Sequence, residues 1–219
     1  MDWEEHAERE EGRYADGLDR LPDDPEARQK QLVRAAAAAT GAGLARLMQG
    51  RRAEAAGWFA RSAERFRESF VDAPPGSWGR PIGAVKARLL AGDRAGAETD
   101  ARWALAQAPG ESESPIARYA AALAHLAVAE DEQAGGFAER LREEPEEAFP
   151  RPVADALAAL ATHDGEAYGD AVVRVLCSFE ERDAYLEGIP VADTVIVLEA
   201  LAEPRGIAVR PSSPLLPDD

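Results

Sequence analysis

Alanine occupies 47 of the 219 positions, so the chain carries methyl groups where most proteins carry volume. Alanine is the strongest helix former, because it loses no side-chain entropy and buries no polar group. Helices faced with it approach closely, and bulk must come from a small set of large residues. Five isoleucines and twelve valines are too few to furnish a large β-sheet. The composition therefore predicts an all-α fold.

Proline and glycine divide the chain into helix-sized pieces. Residues 1–21 set Trp3, Tyr14, Leu18 and Leu21 on a charged background, which predicts an N-terminal helix docked on the rest. Pro22-Asp23-Asp24-Pro25 ends it. Residues 26–186 then read as antiparallel helical hairpins, with helices at 26–49, 52–71, 81–91 and 93–108. Ser114-Pro115 has the cap-then-proline order that opens a helix, and further helices are expected near 131–142, 152–162 and 166–179. A last apolar helix is expected at 191–204. Residues 205–219 are expected to form an extended tail, since three prolines in seven residues from Pro211 exclude a helix. A chain of this length fits a single helical domain over 1–219.

Short connections between so many helices call for a search for repeats. In residues 43–63 the order is Gly43, Gly50, Ala55, Phe59, then the small pair Ser62 and Ala63. A second copy starts at Gly92-Asp93, continues through Ala97, Ala101 and Ala104, and closes at Pro109. Both copies resemble the tetratricopeptide repeat, whose small residues let two helices pack while an aromatic fills the gap between hairpins. The resemblance covers about residues 30–145. It departs from the family in its first helix, where Ala39 stands for an aromatic. Its spacing departs too, with 42 residues from Gly50 to Gly92 against the family's ~34. The resemblance implies a TPR-like α-solenoid that binds a protein or peptide on a concave surface lined by the first helix of each hairpin. It points to Arg46, Lys86 and Tyr119 as polar contacts.

The formal charge of −16 argues against nucleic acid or an anionic membrane as partner, because phosphate binding needs clustered Lys and Arg. A basic protein partner fits the charge better. The surplus of carboxylates over only two lysines, Lys30 and Lys86, is also what a salty cytoplasm favours. The acidic start and the absence of a long apolar run predict a cytoplasmic protein.

Few residues suggest chemistry. His163-Asp164-Gly165 is the one His-Asp dipeptide and would serve a metal-dependent hydrolase, but no second ligand pair accompanies it. Its plainer reading is a helix end, with His163 in the last turn and Gly165 as left-handed cap. Cys177 sits in the apolar run from Val172 and is expected in the core. Trp78 and Arg80, in the loop before Lys86, form a candidate grip for a carboxylate or peptide. No cofactor or metal is expected.

The function expected from these residues is a non-catalytic helical-repeat protein-binding module, an adaptor or scaffold. An alternative comes from the last thirty residues, an apolar helix followed by a proline-punctuated tail. This layout is similar to the ends of all-helical immunity proteins that neutralise polymorphic toxins, which would imply a basic toxin as partner. A metal-dependent hydrolase is the third reading.

Overall fold

The computed structural model describes residues 2–185 and 188–218, and among these the chain is all-α, with ten α-helices and no strand. Met1, Leu186 and Asp219, which bound expected segments, lie outside the described residues. In order the helices are α1 (Trp3–Asp19), α2 (Pro25–Met48), α3 (Arg52–Phe70), α4 (Gly79–Leu90) and α5 (Arg94–Leu105). They continue with α6 (Pro115–Ala127), α7 (Asp131–Arg142), α8 (Arg151–Thr162), α9 (Gly165–Glu180) and α10 (Asp193–Ala202).

Local chemistry explains most of these boundaries. Asp2, Asp24, Asp93 and Asp164 each accept a hydrogen bond from a first-turn backbone N–H, so aspartates cap α1, α2, α5 and α9. Gly50 and Gly92 follow α2 and α4 with φ of +73° and +69°, a left-handed geometry that stops a helix without strain. Ser114 precedes α6 as expected, but its side chain makes no capping bond; Pro115 alone starts that helix. At the end of α8 the expectation needs correction. His163 itself takes the left-handed turn, at φ +57°, and Gly165 already belongs to α9.

Each helix from α1 to α9 packs on its successor. In addition α4 touches α6 and α6 touches α8, so these three helices form a second row of contacts. Alanine makes this density possible. Phe59 of α3 is fully buried, and its ring lies where a Cβ on Gly43 of α2 would fall, 2.6 Å from such an atom. Gly83 of α4 meets Phe66 of α3 at the same distance. Missing side chains on one helix thus receive rings from the next.

Two expected faces turn out differently. In α1 the fully buried residues are Ala7, Glu10 and Gly17, while Trp3, Tyr14 and Leu18 lie half-buried beside them. Glu10 tolerates burial because Arg13 and Arg9 reach its carboxylate at 2.7 and 3.0 Å. In α9, Cys177 is exposed rather than in the core. The apolar run from Val172 is longer than one helix face. Val172, Val175, Leu176 and Phe179 take the inward side, leaving Val173 and Cys177, four residues apart, outside.

α10 departs from the sequential pattern, for it lies against α4, α8 and α9. Val195, Val197, Leu198 and Leu201 are at most 3% exposed, so this helix is buried nearly all round. After it come a 3-10 turn at Glu203–Arg205 and a left-handed Gly206. Within the expected extended tail, residues 206–209 form no strand. Instead Ile207 and Val209 seat over Gly165 and Gly169 of α9. Backbone N–H groups of Val209 and Arg210 donate to the Glu199 carboxylate, and Leu216 is buried.

Candidate functional site

The five residues singled out in the sequence do not share one surface. Arg46, in the last turns of α2, is buried and donates to Glu4 at 2.7 Å and to Glu11 at 2.9 Å, which pins α1 to α2. Burial by itself lowers its pKa, yet the two carboxylates outweigh this and raise it. Arg80 turns inward from the start of α4. It donates to the Ser69 carbonyl at 3.1 Å and to Gln29 Oε1, so it satisfies the buried carbonyl end of α3 rather than reaching into solvent. Burial lowers its pKa. Trp78 is the half-buried residue that precedes α4 and makes no capping bond. The sequence pattern signalled an Arg and a Trp near a loop but not their orientation.

Lys86 and Tyr119, by contrast, come together. Lys86 lies midway along α4, and its Nζ is 2.6 Å from Asp193 Oδ2 and 3.4 Å from Thr194 Oγ1, both in the first turn of α10. Burial lowers the Lys86 pKa, but Asp193 and then Tyr119 overcome that and raise it, which keeps the ammonium charged. Tyr119 of α6 stacks at a tilt on Phe149, with ring centroids 5.4 Å apart. Its phenol pKa is raised, first by burial, and responds to both Lys86 and Asp193. Its hydroxyl has no hydrogen-bond partner among the described residues.

A cavity of about 250 Å³ opens beside this cluster. Gly41 and Leu44 of α2 and Lys86 of α4 form one side. Phe179, Arg182 and Tyr185 at the end of α9, with Ile189, Val191, Asp193 and Thr194, form the other. Arg182 lies flat on Phe179, its Cζ 3.7 Å from the ring centroid. Tyr185 is held by donating from its hydroxyl to the Phe179 carbonyl at 2.9 Å. Arg182, Asp193 and Thr194 were missed in the sequence, because only the return of α10 onto α4 brings them to Lys86.

Other openings are already satisfied by the chain. A cleft of about 510 Å³ along α10 has Glu199 occupied by Tyr168 and by the backbone of 209–210, while Arg52 donates to the Asp218 carbonyl. A groove of about 560 Å³ between α7, α8 and α9 centres on Asp155, which Arg142 and Arg174 already hold.

The His163-Asp164 pair serves the fold. His163 Nε2 is 2.7 Å from Asp131, which also receives Arg205, and Asp164 caps α9. Among the described residues no three His, Cys, Asp or Glu side chains are grouped to hold a metal. No described helix is long and apolar enough to cross a membrane. Comparison with protein families, curated proteins and solved structures finds no match.

Proposed function

We propose that this protein is a non-catalytic helical-repeat binding module, an adaptor or scaffold for a protein or peptide partner, built on a TPR-like α-solenoid. The observation that carries the reading is the second row of contacts, α4 on α6 on α8, inside a chain of sequentially packed helices. This is the spatial layout that stacked hairpins produce, with the first helix of each pair facing inward. Phe59 seated on Gly43 closes the first hairpin, and Phe66 of α3 seated on Gly83 of α4 fills the space between that hairpin and the next, which supports the reading.

The inward row is partly filled by α10, which sits on α4 and α8. Four residues of α10 at most 3% exposed represent roughly 6–12 kcal/mol of apolar burial, so this helix stays in place and narrows the usable surface. What remains open on that side is the mouth beside Lys86.

Recovery of partners from source-cell lysate on the immobilised protein, followed by hydrogen exchange on the purified complex, tests the reading. One stoichiometric partner that protects amides on α2, α4 or the 179–194 segment supports it. Absence of any stoichiometric partner, or protection confined to other surfaces, overturns it. A single basic partner released by modest salt points instead to the charge-steered immunity reading, which the −16 charge favours.

A further inference from the structure

Residues 211–218 form one wall of the cleft of about 510 Å³ along α10, and the opposite wall comes from Leu47 of α2, Arg52 of α3 and Leu89 of α4. This strap holds its own shape. Leu216 N donates to the Ser213 carbonyl at 3.0 Å and Leu215 N to Ser213 Oγ at 3.3 Å, which makes 213–216 a β-turn with Pro214 at the second position, where proline is favoured. The turn is a local property of Ser213-Pro214-Leu215-Leu216, so a segment of another chain with the same order forms it too.

Its attachment to the rest of the molecule is slight. Among the described residues Leu216 is the one fully buried strap residue, and three hydrogen bonds cross to other elements. Ala192 N donates to the Leu215 carbonyl at 2.9 Å, Ser213 Oγ to Glu180 Oε1 at 2.7 Å, and Arg52 to the Asp218 carbonyl at 3.2 Å. The last two are exposed and compete with water. At the base of the strap Arg210 has φ +48°, a left-handed conformation that costs an L residue energy and that a lifted strap need not keep. α10, by contrast, is buried nearly all round and stays.

What the strap covers is specific. Ala192 is fully buried ahead of α10, and its N–H is stranded once the Leu215 carbonyl leaves. The seat therefore requires a carbonyl and, on the next residue, a side chain that fills the place of Leu216. Arg52 offers a donor to a carbonyl or carboxylate two residues further on.

We propose that the seat of residues 211–218 is where this protein takes its partner, a peptide segment with a proline-led turn followed by paired leucines, and that the strap occupies this seat in the free protein as an autoinhibitory contact. The proposal rests on the reading of the chain as a binding module and names the kind of segment it takes.

Fluorescence anisotropy follows a labelled synthetic peptide of residues 210–218 added to the full chain, as wild type and as Leu216→Ser. The wild-type strap competes at the high effective concentration of a tethered segment, so the peptide should bind Leu216→Ser at least roughly tenfold more tightly. Leu216→Ala in the peptide should weaken that binding roughly tenfold, the effect of losing one buried leucine. Equal affinity for the two proteins overturns the proposal, as does indifference to the peptide's leucine or no saturable binding to a Leu216→Ser chain that keeps its helical circular dichroism. If Leu216→Ser unfolds, hydrogen exchange on the wild-type chain decides. The Ala192 amide, freed whenever the strap lifts, should exchange about a hundredfold faster than those of Val197 and Leu198 inside α10. Equal protection means that the strap does not lift and overturns the proposal. Because the peptide is synthetic, a failed search for a natural partner leaves this test standing, and failure here leaves the module reading to its other surfaces.

Discussion

Lys86 Nζ and Asp193 Oδ2 stand 2.6 Å apart across 107 residues of chain, with side chains 18% and 21% exposed. This pair joins the middle of α4 to the first turn of α10, where an acidic residue is also favoured by the helix dipole. Neither residue alone identifies the contact, because Lys86 reads in the sequence as a polar contact on a groove and Asp193 is not singled out at all.

Removing one partner strands the other in a partly dry site. Lys86→Met and Asp193→Asn should each destabilise the protein by ~1–3 kcal/mol, between the values for exposed and buried pairs. The double variant should cost less than the sum. Urea unfolding of all four proteins provides the cycle, and strict additivity would show that the pair is not coupled.

The Gly43–Phe59 contact predicts a steep local penalty. A Cβ on Gly43 would lie 2.6 Å from a fully buried ring that has nowhere to move. Gly43→Ala should cost ~2 kcal/mol by overpacking, despite alanine's better helix propensity. Gly83→Ala meets Phe66 equally closely, but that ring is only half-buried and can yield, so the loss should be smaller. Thermal melts rank the two, and a reversed order would contradict this account.

Asp131 links stability to acid. Burial raises its pKa, but hydrogen bonds from Arg205 and His163 outweigh burial and hold it below the ordinary value of 3.8. A carboxyl depressed in the folded state contributes stability that is complete above its unfolded pKa and is lost as pH falls through the folded one. Stability should therefore decline below about pH 4 with a component that Asp131→Asn lacks. Unfolding free energies measured from about pH 6 to about pH 2 for both proteins separate that component. Parallel curves would remove Asp131 from the explanation.

Glu199 ties α9 to the segment after α10. The buried Tyr168 hydroxyl donates to its Oε1 at 2.6 Å, and Arg210 N donates to Oε2 at 2.6 Å. Tyr168→Phe should cost ~1 kcal/mol, the net worth of one hydrogen bond. Glu199→Gln keeps some acceptors but loses the charge, so exchange at Val209 and Arg210 should accelerate more than elsewhere. Hydrogen exchange resolves this residue by residue, and uniform acceleration would mean that the tail is held by Ile207 and Leu216 instead.

Net charge predicts the salt response. Excess carboxylates repel one another at low ionic strength, and the Debye length shortens from ~10 Å at 0.1 M to ~3 Å at 1 M. The melting temperature should rise across that range. A flat or falling curve would show that internal ion pairs, such as Arg67 and Arg88 around the buried Asp100, outweigh the repulsion.

Helix identity was legible from local chemistry. Alanine abundance, aspartates ahead of helices, and glycines after them act within a few residues, so α2, α3 and α7 fall within about two residues of expectation. The same locality explains why the small-residue and aromatic pattern around Gly43 and Phe59 could be read as a packing motif. Side-chain destinations were not legible where a neighbour far along the chain decides them. Arg80 points at the end of α3 and Arg46 at α1 because those helices offer carbonyls and carboxylates there. Cys177 faces outward because three-dimensional packing chose Val172, Val175 and Leu176 for the inside, and an apolar run contains no information about which side a neighbour will cover. The candidate site depends most on tertiary structure. Periodicity specifies that α10 is apolar, but only its return onto α4 and α8 places Asp193 against Lys86 and leaves Arg182 beside a small cavity.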